Sequence, residues 1–276
     1  MAGLSASVDL TAGEELASGL GGLLDAEVIA SSCLAVSPLG LVQDRAEPLS
    51  AMSSSIPRKL IVLGDSGVYG WGDAQEGGWC ERLRRHWMEL PSGPVLYPLG
   101  VRGDGLERVA ARLRAEVSCR GELRRQQPQG ILLAVGLNDS ARVGRMDGRP
   151  QLEAGGFLFG MQQLLVQARS LAPLLVLGLT PVLEERMPYA EVLWYSLDAV
   201  RRYEALLEEA CLEADVAFLP LLDGLLADSA WPEWLSGDGL HLNSEGHRQV
   251  FERVRRWPAL LNWAELQPLQ GLTPLR

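Results

Sequence analysis

Lysine is almost absent. Lys59 is the only one in 276 residues, so a Schiff-base or lysine-nucleophile mechanism has a single candidate, at the start of an apolar run. Histidine is nearly as scarce, with His86, His241 and His247, and the four cysteines Cys33, Cys80, Cys119 and Cys211 show no C-x-x-C spacing. A zinc site is therefore not expected, nor any metal or other cofactor. Cys80, Cys119 and Cys211 fall within helix-like segments, which suits buried free thiols in a reducing compartment better than a disulfide framework. Positive charge is in deficit: 25 Lys and Arg against 35 Asp and Glu leave a formal charge of -10. That balance excludes nucleic acid and an anionic membrane surface as partners, because both need clustered basic residues. The runs Arg82, Arg84, Arg85 and Arg253, Arg255, Arg256 have acidic neighbours and read as solvated helix faces. No apolar run reaches membrane-spanning length, and the first residues lack the basic start of a secretory signal. The expected location is the cytoplasm, without integral membrane association; the oligomeric state is not readable.

What is present is enough apolar sequence, 47% of residues, to build a full core. Residues 1–57 are rich in Ser, Gly and Ala, have no basic residue before Arg45, and end in Ser-Ser-Ser. They are expected to form a disordered or weakly helical extension that carries no chemistry. From Lys59 onward apolar strands are expected near 59–64, 95–99, 130–136, 174–179 and 216–220. Amphipathic segments near 79–90, 104–118, 153–171, 189–213 and 244–257 separate or follow them. Such alternation predicts an α/β domain over 58–276, a parallel sheet of about five strands covered on both faces. The tail from Pro258, with Trp263 and several leucines, is expected to pack on it.

Ligands of such sheets bind at the carboxyl ends of the strands, and reactive residue types recur there. The first strand ends in Leu-Gly-Asp-Ser, which places Ser66 just past it, in a loop carrying Tyr69, Trp71 and three further glycines. After the second strand, Gly103 lies in LGVRGDG, where a missing Cβ would let a backbone N–H approach a ligand oxygen. After the third, GLND supplies the neutral amide of Asn138. Before the last helix, Asp238 and His241 stand at D-x-x-H spacing, close enough for a carboxylate to orient an imidazole that acts as a general base on a serine. His86 and His247 lie inside helices and read as structural. Each fragment alone is most simply a turn, a cap or a surface pair. Together they supply nucleophile, base, orienting group and oxyanion donors in chain order.

GDSGVYGWG, LGVRGDG, GLND and DGLHLNSEGH resemble the four sequence blocks of the SGNH (GDSL-type) hydrolases, over about residues 59–257. The resemblance implies a flavodoxin-like three-layer α/β/α sandwich, an esterase or lipase acting on a small-molecule ester, and no metal. It implies Ser66 as nucleophile, His241 and Asp238 as base and partner, and the Ser66 amide, Gly103 and Asn138 as oxyanion donors. Tyr69 and Trp71 would wall an acyl or sugar pocket, or pack on the sheet edge. The chain departs from the family in having Pro98 five residues before Gly103, where many members have Asn, and Gly67 where a bulkier residue is usual. Val68 rules out G-x-S-x-G, and the order Ser, Asp, His with the last two adjacent differs from the α/β-hydrolase layout. An acyltransferase on the same triad remains open, as do the acyl and alcohol parts of the substrate. A non-catalytic carbohydrate- or phosphate-binding module is the remaining alternative. It lacks G-x-x-x-x-G-K and G-x-G-x-x-G, and would have no need of Ser66 and His241 together.

Overall fold

Leu60, Ile61, Val62 and Leu63 are all at 0% exposure, which a strand reaches only when both faces of its sheet are covered. They form the middle of β1 (Lys59–Gly64). The computed structural model describes residues 56–120 and 126–266. The expectations for Cys33, for nearly all of the N-terminal extension and for the end of the tail fall outside the described residues.

Five strands run parallel in one sheet: β1, β2 (Val95–Gly100), β3 (Gly130–Ala134), β5 (Leu174–Leu177) and β7 (Ala217–Leu219). Their order is β2-β1-β3-β5-β7, the flavodoxin-like order when the five are counted along the chain. Successive side chains alternate between faces. Ile61, Leu63, Ile131, Leu133 and Val176 join one apolar cluster, while Leu60, Val62, Leu132, Leu175 and Leu177 join the other. Two-residue strands β4 (Arg142–Val143) and β6 (Leu193–Trp194) form a separate antiparallel ladder.

The first face is covered by α3 (Leu106–Cys119), α5 (Ala154–Arg169) and α6 (Leu197–Glu213), which bury Val109, Leu113, Phe157, Met161 and Leu207. The second is covered by α2 (Gly78–Met88), α7 (Leu222–Leu226), α8 (Ser244–Val254) and α9 (Pro258–Ala264). Trp79, Leu83 and Trp87, four residues apart, form the buried stripe of α2, each such side chain contributing about 1.5–3 kcal/mol by burial. α8 starts where the Asn243 side chain accepts the amides of Glu245 and Gly246. α9 seals the amino ends of the strands: Trp263 lies 6.2 Å from Trp87, ring centre to ring centre, and donates to Gln129 O at 2.9 Å. One-turn helices α1 (Ser66–Tyr69) and α4 (Leu137–Ser140) follow β1 and β3. Among the described residues no helix is long and apolar enough to cross a membrane.

Two expectations are corrected. The helix expected over 189–213 begins only at Leu197, because Tyr189 and Leu193 bond to each other and Gly144 N donates to Val192 O. These backbone bonds commit 189–194 to a turn and the β4–β6 ladder. Cys80 and Cys211 are buried free thiols as expected, but Cys119, at the last turn of α3, is exposed.

Candidate active site

The chain passes from one side of β1 to the other between β2 and β3, and the loops that diverge at this point leave a crevice at the carboxyl ends of the strands. Ser66 stands there at the start of α1. Asp65 accepts the Gly67 amide at 2.8 Å and so caps the turn that presents the serine. Gly100, at the end of β2, makes room for it: a Cβ there would lie 2.1 Å from Tyr69 N. Beyond α1, the Asp73 carboxylate gathers the amides of Gln75, Glu76 and Gly78 and pairs with Arg82, folding the loop back into α2.

The DGLH segment arrives from the other side of the crevice. His241 Nε2 lies 3.1 Å from Ser66 Oγ, and Nδ1 lies 2.7 Å from Asp238 Oδ2. Asp238 Oδ1 accepts the backbone amides of Leu240 and His241, both at 3.0 Å. Burial alone would raise the Asp238 carboxyl, but bonds from the His241 amide, the His241 ring and the Leu240 amide together hold it below the ordinary carboxylate value. Ser66, Asp238 and His241 thus meet in the order a proton relay requires.

Asn138, in α4, joins the loops after β1 and β2 to its own. Its Nδ2 donates to Asp104 O at 3.0 Å and to Asp65 Oδ2 at 3.3 Å. Gly103 sits between Arg102, whose guanidinium stacks on Trp71, and Asp104, which receives the Asn138 amide. At Gly103 φ is +76°, a value that favours glycine, and a Cβ would meet nothing within 4 Å. Its turn therefore borders open space. Trp71 and Tyr189 present edge-on contacts to the His241 ring, at 6.2 and 5.4 Å between centres. Tyr69 lies farther out, 6.5 Å from Trp71 and 58% exposed. An apolar cavity of about 60 Å³ adjoins Ser66 and His241, lined among others by Leu179, Leu221, Leu242 and Val250.

Several site residues escape sequence reasoning. Asp65 is buried and its carboxyl is pushed up to about 7, chiefly by burial, with Asp139 and Asp104 adding repulsion against the Gly67 hydrogen bond. Asp139 accepts the Leu106 amide with both oxygens, capping α3. Tyr195 donates to Asn138 Oδ1. His247, read as structural, accepts from Trp79 N and donates to Trp71 O, so its proton is on Nε2 and it ties the Trp71 loop to α2. Lys59 lies at the opposite end of β1, with its Nζ donating to Gln126. Among the described residues no group of three or more His, Cys, Asp or Glu is arranged to hold a metal.

A five-strand parallel sheet between two helical layers, in this order, is the three-layer α/β fold of the SGNH-type hydrolases. The chain belongs to the GDSL-like lipase/acylhydrolase family, whose model matches residues 62–249, and is accordingly a carboxylic ester hydrolase. No curated protein matches it. Among solved structures, the lipase/acylhydrolase from Enterococcus faecalis is 18% identical, with a TM-score of 0.60 over 78% of this chain and 100% of that one. The psychrotrophic esterase EstA from Pseudoalteromonas sp., inhibited by monoethylphosphonate, is 16% identical, with a TM-score of 0.54 over 72% and 94%. A catalytic mutant of the acetylxylan esterase Axe2 from Geobacillus stearothermophilus is 12% identical, with a TM-score of 0.56 over 78% and 97%. At these identities the likeness is one of fold.

Proposed function

We propose that the protein hydrolyses small carboxylic esters through an acyl-serine intermediate, with Ser66 as nucleophile, His241 as general base and acid, and Asp238 as the group that orients and stabilises the imidazolium. The observation that carries this reading is the unbroken line from Ser66 Oγ to His241 Nε2 at 3.1 Å and from Nδ1 to Asp238 Oδ2 at 2.7 Å. Ser66 Oγ bonds to the acyl carbon as its proton passes to Nε2. The bond to the alcohol oxygen then breaks, and that oxygen leaves with the proton. Water repeats the sequence: it loses a proton to Nε2, its oxygen bonds to the acyl carbon, and Ser66 Oγ departs and is reprotonated. The charge that builds on the former carbonyl oxygen is met by the Ser66 and Gly103 amides and the Asn138 side chain.

The inhibition of the EstA structure by a phosphonate supports a nucleophile of this kind on this fold, and the apolar cavity beside Ser66 supports an acyl group rather than a charged one. Buried free thiols at Cys80 and Cys211 fit a reducing compartment such as the cytoplasm. The test is a panel of chromogenic esters graded by acyl length, run on the protein and on Ser66→Ala. Turnover that falls by about 10⁴ or more in Ser66→Ala, with its melting temperature kept, is the expected result. Turnover that survives the substitution would remove Ser66 from the reaction.

A further inference from the structure

The amide of Asn138 is held at both ends. Nδ2 has two hydrogens, and both are engaged, one by Asp104 O at 3.0 Å and one by Asp65 Oδ2 at 3.3 Å. Those partners stand beside the proposed donors and nucleophile, since Asp65 precedes Ser66 and Asp104 follows Gly103. An oxyanion forming on Ser66 can reach Nδ2 only by displacing one of these bonds, and the longer one, to Asp65, is the weaker. Once it is displaced, Asp104 O alone would hold the nitrogen end. The oxygen end is where a second restraint lies: Tyr195 donates its hydroxyl to Asn138 Oδ1 at 3.1 Å.

We propose that Tyr195 is a positioning residue for the oxyanion site, holding the Asn138 amide in register while Nδ2 exchanges its bond to Asp65 for one to the developing negative charge. The inference rests on the reading of Asn138 as an oxyanion donor. Tyr195 is suited to the task by where the chain puts it. It follows β6, whose ladder with β4 sets Trp194 opposite Arg142 and Leu193 opposite Val143, and β4 begins two residues after α4 ends. The tyrosine is thereby fastened to the same short stretch of chain that carries Asn138. The residue is 3% exposed, and the next one, Ser196, caps α6 by accepting the Ala199 amide. The phenol is thus fixed from both sides and kept from water, where a hydrogen bond in a chain of dipoles also polarises the amide it serves. Because the restraint is needed most after the Asp65 bond is lost, its effect falls on the transition state more than on substrate binding.

The test is a double-mutant cycle of Tyr195→Phe and Asn138→Ala, with kcat, KM and melting temperature measured for all four proteins. Tyr195→Phe keeps the ring and removes only the hydroxyl. It is expected to lower kcat by about 3- to 10-fold with KM unchanged, the scale of one neutral hydrogen bond. Asn138→Ala is expected to lower kcat by roughly 10² to 10³. In the Asn138→Ala background the tyrosine change should cost less than about twofold, since there is then no amide to hold. A Tyr195→Phe protein that melts lower but turns over as the parent does would assign the tyrosine to folding alone and overturn the inference. So would a kcat loss that persists in full without Asn138. A silent Asn138→Ala is a different failure: it removes the oxyanion role of Asn138 itself, and the inference with it.

Discussion

One carboxylate fixes both the ring and the backbone of His241. Asp238 Oδ2 is 2.7 Å from Nδ1, and Oδ1 takes the His241 backbone N–H at 3.0 Å. The imidazole therefore cannot swing toward or away from Ser66 without losing its bond to a carboxylate that the turn itself holds in place, and the proton on its Nδ1 has an acceptor that stays charged.

That double hold predicts the outcome of Asp238→Asn. The amide oxygen can still accept the backbone N–H groups, so the turn survives, but the NH₂ group facing Nδ1 favours the tautomer with its proton on Nε2. A base so protonated cannot take the serine proton. The expected loss in kcat is about 10³ to 10⁴ with little change in KM or melting temperature. Steady-state kinetics beside a thermal melt decide it, and a variant within about tenfold of the parent would show that Asp238 does not orient the base.

Asp65 gives stability a dependence on pH whose sign follows from its burial. Its carboxyl is raised from 3.8 to about 7 in the folded protein, first by desolvation, and that of Asp139 to about 6 for the same first reason. The folded state thus holds protons that the unfolded chain has already released, and stability falls as pH rises from the unfolded value through the folded one. The melting temperature is expected to decline between about pH 4 and about pH 7, and Asp65→Asn, which cannot ionise, should flatten that decline. Parallel curves for the two proteins would show that Asp65 contributes nothing to it.

Strand ends were legible in the sequence because β1, β3 and β5 are buried on both faces, which leaves short unbroken apolar runs that stop at the point where the chain turns. Ser66 and Asn138 follow from those ends, whereas the DGLH segment, which comes after α7 and not at a strand end, was legible from its D-x-x-H spacing. Tyr195 does not. Its segment has a ladder only two residues long, too short to print a period of two, while its apolar residues continue smoothly into the helix at Leu197. Buried charge was equally hidden. Asp139 accepts the amide of Leu106, 33 residues away, and Glu204 the amides of Leu179, Leu221 and Leu222, and nothing in the residues beside them records that.

Glu204 is the clearest of these. On α6, its Oε1 accepts the amides of Leu179, Leu221 and Leu222 at 3.0 to 3.2 Å, joining the end of β5 to the start of α7. Burial raises its carboxyl, against the pull of those amides. Glu204→Ala would strand three buried N–H groups and is expected to cost about 3 kcal/mol or more, whereas Glu204→Gln, whose carbonyl can accept the same bonds, should cost about 1 kcal/mol or less. Chemical denaturation of both variants separates the cases. Equal losses would mean that the carboxylate charge, not its acceptor geometry, is what the fold uses.

The two aromatics of the loop after β1 are expected to differ in what they do. Trp71 sets its edge against His241 and carries the Arg102 guanidinium 3.3 Å from its ring centre, so it forms a stiff wall beside the imidazole. Tyr69 reaches only Trp71 and is 58% exposed. If the wall receives the substrate, Trp71→Ala should raise KM for an aryl ester by about 2- to 10-fold, the worth of one aromatic contact, and leave kcat within about threefold. Arg102→Ala, which frees the ring without removing it, should act in the same direction but less, and Tyr69→Ala should leave both constants within about twofold. Measuring kcat and KM for the three variants on one aryl and one alkyl ester checks this. A fall in kcat with KM unchanged in Trp71→Ala would mean that the indole serves the imidazole it borders and not the substrate, because only a contact to bound ester is lost from KM.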